Sequence, residues 1–144
     1  MSATNTFEND ILQLIFNNVA ILTIGDSAGI QGSSTAGSLH VALFTGNPDE
    51  AGSTSYECSY SGYGRVAVAR STAGWTVSGD TADNTAAVTF GECTASPETA
   101  THFGIFDSAA GGTLLFYGTL NSSLSITVGV IPQFAAGDLD ITAN

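Results

Sequence analysis

THFGIFDSAAGGTLLFYGTL, residues 101–120, decides the architecture. THFGIFD (101–107) and TLLFYGTL (113–120) are apolar runs of strand length, and SAAGG lies between them as turn chemistry. Asp107 opens the turn, its carboxylate placed to accept from the backbone N–H groups that follow. Gly111 and Gly112 supply the positive φ that the returning chain needs. Gly104, between Phe103 and Ile105, marks a close backbone approach or a bulge within the first strand. The stretch is a β-hairpin.

The same pattern recurs along the chain. LHVALFTG (39–46) alternates Leu39, Val41 and Leu43 with His40, Ala42 and Phe44, and NPDEAGS follows as a turn with Pro48 at its corner. YGRVAVAR (63–70), GWTV (74–77), AAVTF (86–90), LSITV (124–128) and DLDIT (138–142) read as further strands. SGDTADN, ECTASPE and the stretch around Pro132 read as connections. Short strands at regular spacing, with no helical crossover between them, predict a mainly β fold. The expected architecture is a single antiparallel, jelly-roll-like β-sandwich with a short N-terminal α-helix.

The helix is expected over residues 5–18. Phe7, Ile11, Leu14 and Ile15 recur at helical spacing, and Asn5 with Glu8 resembles a capping box. Asn17 and Asn18 suit its end. A second apolar stripe, Leu12, Phe16 and Val19, widens the apolar face beyond one packing surface. One stripe covers the β core. The other, taken as Leu12, Phe16 and Val19, is expected to face a neighbouring subunit. GDSAGIQGSSTAGS (25–38) is a Gly/Ser loop with little in it to fill a core. The organisation is one domain over 1–144, with helix 5–18, loop 25–38 and sandwich 39–142.

Composition excludes several function classes. The 144 residues are 43% hydrophobic and 10% charged, against roughly 25% charged in an average globular chain. A chain this apolar folds, and one of this length hides roughly 68–70% of its unfolded surface. Lysine is absent, and Arg65 and Arg70 stand alone against 13 carboxylates, for a net charge of -11. Phosphate neutralisation needs cations, so nucleic-acid binding and adsorption to anionic lipid are not expected. Apolar runs fall short of the ~20 residues that span a bilayer. Glu8 and Asp10 stand where a signal peptide would be basic, so no export leader is expected. Arg65, rare as a cation, is expected to anchor the fold through Glu57 or Asp107.

Chemistry is sparse. Cys58 and Cys93 match no redox or metal spacing and read as ordinary thiols, with a bridge between them as the alternative. His40 and His102 each lie inside an apolar strand. No GxSxG elbow is present. Asp138 and Asp140 share a strand face but read as solvated acids rather than a glycosidase pair. GDTADN (79–84) lacks the spacing of a calcium loop. No catalytic residue, cofactor or metal site is expected.

A resemblance goes further than the motifs. LHVALFTGNPDEAGS (39–53), GYGRVAVAR (62–70), AAVTFGECTAS (86–96), residues 101–120 and FAAGDLDIT (134–142) together look like a bacteriophage virion family. Its members are labelled tail-fibre-like or phage structural proteins. The resemblance covers nearly the whole chain, with GYGR in place of the family's GYAR and a longer loop at 25–38. It implies a virion structural protein, made in the host cytoplasm, and no catalytic duty for any position. The expected role is capsid decoration (cement), binding the major capsid protein or neighbouring virion proteins. The alternative is a tail or tail-fibre component, and a carbohydrate-acting or lectin domain is the third class. Virion sites lie on local symmetry axes, so a homo-oligomer, a trimer, is expected.

Overall fold

The computed structural model describes residues 1–143. These residues are mainly β, with one helix and antiparallel sheets among them. In order the elements are α1 (Asn5–Asn17), β1 (Ser38–Phe44), β2 (Val66–Ala69), β3 (Trp75–Ser78) and β4 (Thr81–Asn84). They continue with β5 (Val88–Thr89), β6 (Glu98–Phe106), β7 (Leu114–Ile126), β8 (Gln133–Phe134) and β9 (Asp140–Thr142). These elements belong to two compact units. The first holds Met1–Ser38, Val68–Ala87 and the chain from Phe134 on; the second holds Leu39–Ala67 and Val88–Gln133.

In the first unit α1 packs on the sheet β3–β4–β9. Glu8, Leu12 and Phe16, at successive i+4 steps, are its buried face. Phe16 meets Trp75 edge-on, ring centroids 4.8 Å apart. Ala82, Leu139 and Ile141 complete this core. The stripe assignment is therefore corrected: Leu12 and Phe16 lie inside the protomer, and exposure on α1 falls to Phe7 and, just past its end, Val19. Packing demands one unbroken i+4 row, and the row ending in Phe16 is the one that reaches Trp75. The capping box is also corrected. Thr4 precedes the first turn in extended conformation without a side-chain cap, and its carbonyl accepts from the Glu8 N–H at 2.9 Å. Asn18 ends the helix in the left-handed region, φ 59°.

TADN differs from the expected turn. Only Gly79 and Asp80 turn, with Gly79 at φ 62° and Ser78 opposite Thr81. Thr81–Asn84 is a strand whose buried positions are Ala82 and Asn84. Its alternation is hidden in the sequence because one inward residue is an amide.

In the second unit the sheet order is β2–β1–β6–β7. β1 is interior, and Val41, Ala42, Leu43 and Phe44 are all fully buried because both faces are covered. His40 pairs Phe106, Ala42 pairs Gly104 and Phe44 pairs His102. β6 continues to β7 in antiparallel register, Gly104 opposite Tyr117. Gly104 has no room for a side chain: a Cβ there would stand 2.7 Å from both Leu114 Cδ1 and Phe44 Cε2. β7 runs unbroken through Asn121–Ser123, between the two strands expected at 113–120 and 124–128. It carries a register irregularity there, with Ala100 opposite Leu124 and His102 opposite Thr119.

Candidate functional site

The most elaborate polar arrangement in the second unit is built around Arg65 and the 107–113 turn. Asp107 Oδ1 accepts from the Thr113 N–H at 2.8 Å, and the Asp107 N–H donates to the Thr113 carbonyl at 3.2 Å. Gly111 and Gly112 take φ of 61° and 70°. A Cβ on Gly112 would fall 2.2 Å from Asp107 Oδ1, so the closed turn requires glycine there. Arg65 Nη1 donates to the carbonyls of Ser108 at 2.9 Å and Gly111 at 2.7 Å. Its Nε and Nη2 meet Glu57 Oε1 and Oε2, and its Cζ lies 3.4 Å from the centroid of the Phe106 ring. Tyr63 adds a third layer, donating its hydroxyl to Glu57 Oε1 at 2.9 Å while accepting from the Leu43 N–H.

Electrostatics follow from that geometry. The hydrogen bonds that Arg65 donates to the Glu57 carboxylate strengthen its hold on its proton, against the opposing effect of burial. Burial, then the Glu57 charge, pushes the Tyr63 hydroxyl well above the ordinary phenol range. Four of the five guanidinium N–H groups are taken up inside the protein, so Arg65 offers no fork to a ligand. It is an anchor.

Arg70 is committed as well. In the first unit its Nη2 and Nε donate to the carbonyls of Leu14 and Ile15 at 2.7 and 2.6 Å, and its Nη1 reaches Ala36 at 2.9 Å. α1 has no basic residue in its own last turn, and Arg70 supplies the charge its carbonyl end favours. Sequence reasoning missed this because the two partners are far apart in the chain. It also missed Asn84, buried and saturated: its Nδ2 donates to Ala86 and Ala135, and its Oδ1 accepts from the Leu139 N–H. The one signal for Asn84 was a polar residue at an inward step of a short alternating run.

The remaining candidates do not converge. Cys58 and Cys93 are buried free thiols. Burial, then the Glu98 charge, pushes the Cys58 thiol up to about 12, and the Tyr60 hydroxyl also rises to about 12, chiefly through burial. Glu98 is spent on the backbone N–H groups of Ser59 and Tyr60 and on the Ser59 hydroxyl. His102 bonds Thr101, and His40 sits across from Phe106. Asp138 accepts from the Ala135 N–H and Asp140 lies opposite Asp83, so the two acids serve different elements. Among the described residues no three His, Cys, Asp or Glu side chains are grouped to hold a metal ion. No described helix is long and apolar enough to cross a membrane.

Comparison with known proteins gives these features a setting. Residues 2–142 match the family model described as Podophage GP4 fiber I protein gp80. No curated protein matches the chain. The chain belongs to the gp80 family, a family of phage virion structural proteins.

Proposed function

With membership of that family as the premise, we propose that the chain is a structural subunit of a phage fibre or tail appendage. The match over residues 2–142 carries this reading, because the family's description is that of a fibre protein. The physical features agree with a structural role. Both cations are bound internally, and the acids with partners hold turns and loops rather than facing one another across a cleft. The fibre placement has a specific observation behind it.

Copy number tests the proposal. Densitometry of purified particles, scaled to the major capsid protein, is expected to give a band amounting to a small fraction of the capsid signal. Immunogold label is expected at the tail end of the particle. A band comparable to the capsid protein, with label spread over the head, would overturn the fibre reading in favour of decoration.

A further inference from the structure

We propose that the folded chain is closed to proteases that cut after lysine or arginine, because its only two such residues are bound up as internal fasteners. The 144 residues hold no lysine, and Arg65 and Arg70 are the two arginines. A trypsin-like protease takes the basic side chain into its specificity pocket and cuts the peptide bond that follows. Its two targets here are the bonds Arg65–Val66 and Arg70–Ser71, which flank β2. Neither side chain is free to leave the protein.

Arg65 is held within the second unit. To reach a protease pocket it would give up its four hydrogen bonds to Glu57, Ser108 and Gly111 and leave the Phe106 ring. Its departure would also strand the Glu57 carboxylate. Arg70 is held within the first unit by the carbonyls of Leu14, Ile15 and Ala36, and its Nη1 lies 3.4 Å from Ser33 Oγ.

The backbone at the second bond adds to this. Nicking favours exposed loop tips, and chain held in a turn must open first. The Ser71 N–H donates to the Ala69 carbonyl at 2.9 Å, and the Ser71 carbonyl accepts from the N–H groups of Gly74 and Trp75. The turn is so close that a Cβ on Gly74 would stand 2.1 Å from the Ala69 carbonyl oxygen. Cleavage therefore waits on local opening, and its rate follows the population of the opened form. The exposed loops elsewhere carry no lysine or arginine to cut. A virion protein built this way stays whole where such proteases are secreted. The inference holds wherever in the virion the chain sits, so its failure and that of the fibre reading are separate results.

Trypsin digestion of the full chain, read by intact-mass spectrometry, tests it. The folded wild type is expected to stay whole, whereas in urea it is expected to give residues 1–65, 66–70 and 71–144. Leu22→Lys and Val128→Lys each place a target at an exposed apolar position, one in each unit. Both are expected to be cut there in the folded state about a hundredfold faster than the native arginines. Arg65→Lys and Arg70→Lys keep a residue that trypsin reads but lose the planar fork. Each is expected to be cut at its own position about tenfold faster than the arginine it replaces, with chymotrypsin digestion unchanged. Folded wild type cut after Arg65 or Arg70 as fast as at the introduced lysines overturns the proposal. So do introduced lysines that also resist, since the backbone alone would then protect the chain. Lysine replacements cut no faster than the arginines, or a chymotrypsin rate that rises in step, would take the protection away from the arginine contacts and overturn it equally.

Discussion

Arg65 and Glu57 meet through two parallel contacts, Nε to Oε1 at 2.7 Å and Nη2 to Oε2 at 2.8 Å. Their side chains are 5% and 15% exposed. Such a fork is worth more for what its loss leaves behind than for its own attraction, because removing one partner strands the other's charge.

Arg65→Met is therefore expected to cost about 3 kcal/mol, the scale of breaking a buried pair. It strands the Glu57 carboxylate and frees the 107–113 turn carbonyls. Glu57→Gln in the same background removes the stranded charge, so the double variant is expected to be more stable than the sum of the two single losses implies. Urea denaturation of the four proteins in the cycle checks this. Strict additivity would show that the pair is not coupled.

Much of this was legible in the residues, for identifiable reasons. The 101–120 hairpin announced itself because Asp107, Gly111 and Gly112 are residue types that only a turn demands at that spacing. α1 was legible from its periodicity, but not which stripe is inward, since that depends on Trp75, a residue far along the chain. β4 was hidden by Asn84, whose burial is affordable only because three backbone groups saturate it. Arg70 looked like a spare cation until the fold brought it to the carbonyls of Leu14 and Ile15. Local chemistry was readable; long-range partnership was not.

The Cys58 thiol sets an alkaline limit on stability. Its ordinary value of 9.0 is pushed up to about 12 by burial first and the Glu98 charge second. The folded chain thus holds this proton more tightly than the unfolded chain does. That contribution is complete below pH 9.0 and is lost as pH rises through about 12. Stability measured by urea titration is expected to fall over this window, and Cys58→Ala to flatten the fall. Native protein at mildly alkaline pH is expected to resist thiol reagents that label both cysteines once urea is added. Rapid labelling of Cys58 in the folded chain would contradict its burial.

Asp83 works on the acid side with a similar sign. It lies on β4 between Thr76 of β3 and Asp140 of β9, the last a like charge directly opposite. Desolvation first, and the Asp140 charge second, raise its carboxyl above the ordinary 3.8. The folded state therefore binds this proton more tightly than the unfolded state. The stabilisation is fully present below 3.8 and is lost as pH rises through the higher folded value. The two acids stand across one ladder rung, and like charges directly opposite each other weaken a strand pair. Asp83→Asn removes the repulsion while keeping the side-chain shape, and it is expected to melt higher than the wild type at neutral pH. As the pH is lowered and Asp83 takes up its proton, the gap between the two melting curves is expected to close. Acids elsewhere in the chain are common to both proteins and cancel in the difference. A gap that stays constant from neutral to acid pH would mean that the asparagine acts through packing rather than charge.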